Sequence, residues 1–297
     1  MPIPTRSESQ MLTLILNTAY ADERIRAVIM NGSRANPAAP KDCFQDFDIV
    51  YVVTDPAPFR AEPGWIDRFG ELMIKQEPDG MGVAPAGPHD RYAYLMQFAD
   101  GNRIDLTLFP LDQLSALPRD SQSILLLDKD GLIEPFPPPS DADYLPSPPT
   151  AQEFQAVCNE FWWVSTYVAK GLWRRELPYA LQLFDDPVRA MLYRMLVWSI
   201  GIATDFAVSP GKLGKYFERL LPPAIWQAYL KTYSDADCDH VWEALFAMTN
   251  LFREVAQPVA DHYAFSYPSG DDARVTAFLR HVRTLPPDAA RIYEEES

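Results

Sequence analysis

Seven of the residues between Glu134 and Pro149 are proline. Proline offers no amide proton and fixes its own φ, so neither a helix interior nor a central strand can run through this stretch. It reads as an extended connector. A chain of 297 residues with 47% hydrophobic content can build a modest core on each side of it. The expected organisation is a first domain over 1–134, a linker over 135–149 and a second domain over 150–297.

The spacing of apolar residues changes across the connector. Before it, helix and strand signals alternate. Ser7 and Gln10 have the spacing of a capping box, and Leu12, Ile15, Leu16 and Ala19 follow at helical intervals. Ala27-Val-Ile-Met30 predicts a short buried strand, residues 48–53 a second, and Trp65 to Ile74 a helix. Arg91-Tyr-Ala-Tyr-Leu-Met-Gln-Phe98 and Arg103-Ile-Asp-Leu-Thr-Leu-Phe109 flank an Asp-Gly turn, the signal of a hairpin. Beyond the connector the period is helical throughout. Thr150 and Glu153 form a second capping box, Asp186-Pro187 supplies an N-cap acid and a first-turn proline, and Asp239 precedes a long amphipathic run from Val241 to Val255 as an N-cap in the same way. The fold class expected is α+β: a mixed sheet with helices, then an α-helical bundle. The acidic end after Pro287 is expected to fray.

The formal charge is −15, from 41 acids against 26 Lys and Arg. Such a surface repels phosphate backbones and draws cations, which disfavours nucleic acid and favours a cationic small molecule, unless the acidity serves solubility alone. Cys43, Cys158 and Cys238 are too few and too scattered for a disulfide framework or a zinc site, so a reducing cytosol is expected. The N-terminus lacks the basic-then-apolar order of a signal peptide, and no apolar run is long enough to span a bilayer. Neither a membrane partner nor an oligomer is expected.

The chemistry gathers around Asp46-Phe-Asp48, which heads the apolar run to Val53. Side chains alternate along a strand, so Asp46 and Asp48 point the same way, and on the hairpin's second strand Arg103, Asp105 and Thr107 share a face. A carboxylate between apolar neighbours on a buried strand is costly unless compensated. If Asp105 meets the other two, their mutual repulsion demands cations, and oxygen-only ligands select Mg²⁺ over zinc. Two such ions can activate a hydroxyl and hold a triphosphate for in-line displacement. Gly32-Ser33 lies a dozen residues upstream, after a strand. Its glycine lets backbone approach a phosphate, Ser33 adds a hydroxyl donor and Arg34 a bidentate one. Taken singly, Asp-x-Asp is commonly a solvated turn, and Asp105 could simply pair with Arg103.

A strand, Gly-Ser, Asp-x-Asp on a strand and a later Asp on another resembles the polymerase-β-like nucleotidyltransferase superfamily. More narrowly, Met30-Asn-Gly-Ser-Arg-Ala-Asn-Pro37, Lys41-Asp-Cys-Phe-Gln-Asp-Phe-Asp-Ile49 and Asp100-Gly-Asn-Arg-Ile-Asp-Leu-Thr-Leu108 are similar to the aminoglycoside 6-adenylyltransferases. The likeness continues in Cys158-Asn-Glu-Phe-Trp162, Tyr167-Val-Ala-Lys-Gly171, Gly211-Lys212 and Trp242-Glu-Ala-Leu-Phe246, covering most of residues 20–270. The resemblance implies a polymerase-β-like first domain that transfers AMP from ATP to a streptomycin hydroxyl and releases pyrophosphate. It makes Asp46, Asp48 and Asp105 the metal carboxylates and Gly32, Ser33 and Arg34 the triphosphate contacts.

Two assignments extend into the helical half. Lys212 and Lys215, in a loop entering a helix of an acidic protein, are candidates to clamp the triphosphate. The general base is expected from the same half, among Glu160, Glu176, Asp185 and Asp186. Asp186 is set aside as a helix cap. Gln182 stands where relatives carry an Asp; if that Asp is their base, either activity here is reduced or a neighbour replaces it, with Asp185 the candidate. Alternatives are transfer to another small molecule or a protein side chain, or a non-catalytic, antitoxin-like nucleotide-binding module. The module has no need of three mutually repelling acids.

Overall fold

The computed structural model describes residues 3–37, 39–81 and 91–293. The chain forms two compact units that divide between Asp143 and Tyr144, inside the proline-rich segment. The first part of that segment is tied down. Arg119 donates to the carbonyls of Glu134 and Pro135, and the amide of Ser140 donates to Ser121 O at 2.8 Å. A proline-rich backbone makes no ladder of its own, so its carbonyls are free to accept from neighbouring side chains.

The first unit opens with helix α1, Glu8–Ala21, whose capping box closes between Ser7 and Gln10. Strands β1 (Ile25–Asn31), β2 (Phe47–Val53), β3 (Leu72–Gln76), β4 (Tyr92–Phe98), β5 (Arg103–Pro110) and β6 (Ile124–Asp128) form one sheet in the order β3-β4-β5-β2-β1-β6. Every neighbouring pair is antiparallel except β2 and β5, which run parallel. That is an α+β unit.

The two faces of the sheet are covered differently. Phe47, Ile49 and Tyr51 of β2 and Ile104, Leu106 and Leu108 of β5 pack toward α1 and the aromatic cluster of Phe59, Trp65 and Phe69. Each such large side chain contributes roughly 1.5–3 kcal/mol by leaving water. The alternate residues, including Asp48 and Asp105, therefore turn to the opposite face, where Ala27, Ile29, Val52 and Phe109 build a smaller core.

Sequence and structure part at residues 63–76. The expected helix from Trp65 to Ile74 is a 3₁₀ segment, Pro63–Phe69, that ends at Gly70 with φ +127°, followed by strand β3. Strand β6 carried no expectation and closes the far edge of the sheet.

The second unit is helical, as expected. Its main elements are α2 (Ala151–Trp173), α3 (Leu177–Leu183), α4 (Arg189–Ala203), α5 (Pro223–Leu230), α6 (Cys238–Tyr263) and α7 (Ser269–Thr284). Thr150 and Glu153 exchange the two bonds of the capping box at the head of α2. Phe161 of α2 stacks on Phe252 of α6 at 3.7 Å between ring centroids. Two cap expectations are corrected. Asp237, not Asp239, accepts from the first amides of α6, because only a residue outside the helix can turn its side chain back onto them. At Asp186-Pro187 the chain kinks through a cis peptide, and α4 begins at Arg189 without a side-chain cap. The acidic end, 294–297, lies outside the described residues. Among the described residues no helix is long and apolar enough to cross a membrane.

Candidate active site

The ends of three adjacent strands meet at one edge of the sheet: the end of β1 and the starts of β2 and β5. In the register, Asn31 faces Asp48 across the antiparallel pair, and Asp48 faces Asp105 across the parallel one. Parallel neighbours in register project to the same side, so the two carboxylates are adjacent. Asp46 stands just before β2, two residues from Asp48, and joins them. One oxygen from each of Asp46, Asp48 and Asp105 lies within 4.8 Å of the other two.

The three acids are partly exposed. Two like charges about 4 Å apart repel by roughly 4 kcal/mol at an effective dielectric of 20, so this arrangement calls for a cation. The donors are all carboxylate oxygens, a set that suits a hard divalent ion and not zinc. Arg103 stands among them. Its Nε and Nη2 each donate to Asp105 at 2.7 Å, and its Nε lies 3.9 Å from Asp46 Oδ2. The paired Asp105 carboxylate, with smaller contributions from Asp46 and Asp48, raises the Arg103 pKa against its partial burial.

Gly32 begins the turn that follows β1, with φ +75°. Ala35 N donates to Gly32 O at 3.0 Å and closes the turn. Gln45 Nε2 donates to both the carbonyl and the hydroxyl of Ser33, so the turn is stitched to the segment that leads into β2. Asn31 is held by Ser123, whose Oγ donates to Asn31 Oδ1 at 2.8 Å.

Arg34 faces inward. Its Nε donates to Asp46 O at 3.0 Å, its Nη2 to Gln45 O at 2.5 Å, and its Nη1 lies 3.3 Å from Glu8. The guanidinium also sits 3.9 Å above the Phe47 ring. With its three nitrogens engaged and the side chain 10% exposed, Arg34 braces the approach to Asp46. The approach to Asp105 is braced too. Burial would raise the Asp100 pKa, but hydrogen bonds from Arg6 and Asn102 hold that carboxyl well below the usual range and fix the β4–β5 turn.

Asp185, Lys212 and Lys215 belong to the helical unit. Asp185 is exposed and accepts from Arg189 Nε at 3.0 Å. Lys212 opens a short turn, and Gly211 just before it and Leu213 and Gly214 within it all have positive φ. It borders a cavity of about 410 Å³ shared with Tyr193, Arg194 and Trp198. Lys215 Nζ lies 5.0 Å from the centre of the Tyr216 ring. Trp173 donates to Leu285 O and is part of the bundle.

Sequence reasoning overlooked Ser123, Gln45 and Asn31, whose work depends on partners far along the chain. Arg103 was legible as a partner of Asp105, because residues two apart on a strand share a face.

The family model described as streptomycin adenylyltransferase matches residues 5–282. An aminoglycoside 6-adenylyltransferase of Campylobacter jejuni is 42% identical over 268 residues, covering 90% of this chain and 93% of its own. The protein of that name from Bacillus subtilis (strain 168) is 38% identical over 269 residues, covering 90% and 95%. A crystal structure of an aminoglycoside 6-adenyltransferase from Bacillus subtilis aligns with a TM-score of 0.47 at 34% identity, over 94% of this chain and 100% of that one.

Proposed function

The chain belongs to the streptomycin adenylyltransferase family, and from that premise we propose that it transfers AMP from ATP to the 6-hydroxyl of streptomycin, inactivating the drug. The observation that carries this reading is the convergence of Asp46, Asp48 and Asp105 beside the Gly32-Ser33 turn. The acceptor oxygen bonds to the α-phosphorus while the bond to the bridging oxygen breaks, and pyrophosphate departs with that electron pair.

Asp46, Asp48 and Asp105 hold the divalent metal, two Mg²⁺ ions in this reading, which supplies charge neutralisation to the triphosphate. The turn at Gly32 brings backbone close to the phosphates, and the Ser33 hydroxyl donates to them. Arg34 serves the same end by holding that turn and the backbone of Asp46 together. The roles of Asp185 in taking the hydroxyl proton and of Lys212 and Lys215 in contacting the triphosphate belong to the proposal on sequence grounds. The net charge of −15 suits an acceptor that carries guanidinium groups. The few, scattered cysteines make a reducing cytosol the proposed compartment.

The test is to incubate the chain with ATP, Mg²⁺ and a panel of aminoglycosides and to measure pyrophosphate. Release with streptomycin that disappears in Asp46→Asn is the expected result. Silence across the whole panel would sink the proposal.

A further inference from the structure

Arg103 makes a fork onto Asp105, with both contacts at 2.7 Å, and reaches to 3.9 Å from Asp46. Its guanidinium therefore stands against the same carboxylates that a divalent ion needs. A bidentate Arg-carboxylate pair engages both oxygens of Asp105, so a divalent ion ligated by Asp105 meets the like charge of the guanidinium and competes with it for those oxygens. Among the described residues Arg103 belongs to none of the buried core clusters. Its side chain is 45% exposed, and it lies at the start of β5 on the face away from α1. A guanidinium so placed has solvent open to it when it leaves Asp105.

We propose that Arg103 is the resident counter-cation of this site: it neutralises Asp105 and Asp46 in the metal-free chain and is displaced from Asp105 when a divalent ion binds. This rests on the reading of the three acids as a metal site. Arg103 is then a competitor for the metal and not a support for it. Free metal pays for the broken pair, and removing the guanidinium strengthens metal binding. A support would do the opposite, since its loss would let Asp105 drift and weaken binding.

The experiment titrates the full chain with Mn²⁺ alone, following free Mn²⁺ by electron paramagnetic resonance. Wild type, Arg103→Gln, Arg103→Lys and Asp46→Asn/Asp48→Asn are compared, with thermal melting as the check on folding. Arg103→Gln is expected to bind Mn²⁺ about threefold or more tightly, the scale set by an exposed ion pair, with Arg103→Lys in between. Unchanged or weaker binding by a folded Arg103→Gln, with wild type binding well above the double variant, overturns the assignment and leaves the metal reading intact. Wild type and Arg103→Gln that both bind no better than the double variant overturn the metal reading, and the counter-cation with it.

Discussion

The carboxylate of Asp48 fills the space that a side chain at Gly32 would need: a Cβ built on Gly32 would lie 2.2 Å from Asp48 Oδ2. No real Cβ tolerates such a contact, and Gly32 also has φ +75°, a conformation that L side chains rarely adopt. The turn and the metal-type carboxylate are thus fitted to each other directly.

Gly32→Ala should therefore do two kinds of damage. Left-handed strain costs about 1–2 kcal/mol, and the displaced Asp48 should reduce turnover by about a hundredfold, as misplacement by an ångström does. Gly131→Ala is the comparison, since Gly131 has φ +65° and nothing within 4 Å of its would-be Cβ. It should show the strain in its melting temperature and keep full pyrophosphate release.

Asp48→Asn should separate activity from stability. Asparagine keeps the size and shape of the side chain, so melting should change little. Turnover should fall by about a thousandfold, the scale of several kcal/mol of lost charge stabilisation. A melting temperature that drops along with activity would mean that Asp48 supports the fold.

Arg34→Lys tests whether the brace matters more than any phosphate contact. Lysine cannot reproduce the fork onto Asp46 O and Gln45 O. Stability should fall by about 1–3 kcal/mol, measured by urea unfolding without nucleotide. A variant with wild-type stability and only a raised KM for ATP would return Arg34 to the triphosphate.

Asp100 gives the first unit an acid sensitivity. Burial is overcome by hydrogen bonds from Arg6 and Asn102, so the folded carboxyl titrates below its ordinary value near 3.8. A lowered folded pKa contributes stability that is complete above the unfolded pKa and is lost as pH falls through that window. Asp100→Asn should be less stable than wild type by about 1–3 kcal/mol at pH 7. The gap should close as the pH is taken below 4, and urea unfolding at pH 7 and pH 3 measures it.

Signals that closed within a few residues were readable from the chain alone. Both capping boxes, at Ser7 and Thr150, formed as spaced, because donor and acceptor are three residues apart. The Asp-Gly hairpin delivered β4 and β5 for the same reason. Residues 72–76 were unreadable. Met73 and Ile74 are 64% and 67% exposed, so no buried face marks the segment, and only pairing with β4 makes it a strand. The inward turn of Arg34 was equally hidden, since its type suits a phosphate and its partners come from folding.

The sequence by itself determined which residues share a strand face and therefore which acids could point together: Asp46 with Asp48, and Asp105 with Arg103. Tertiary structure alone decided that β5, drawn from a hairpin with β4, also pairs with β2 in parallel and sets Asp105 directly beside Asp48. No local rule dictates that pairing. It follows from burying the Phe47, Ile49 and Tyr51 face beside the Ile104, Leu106 and Leu108 face in one core, which obliges the intervening acids to meet on the other side.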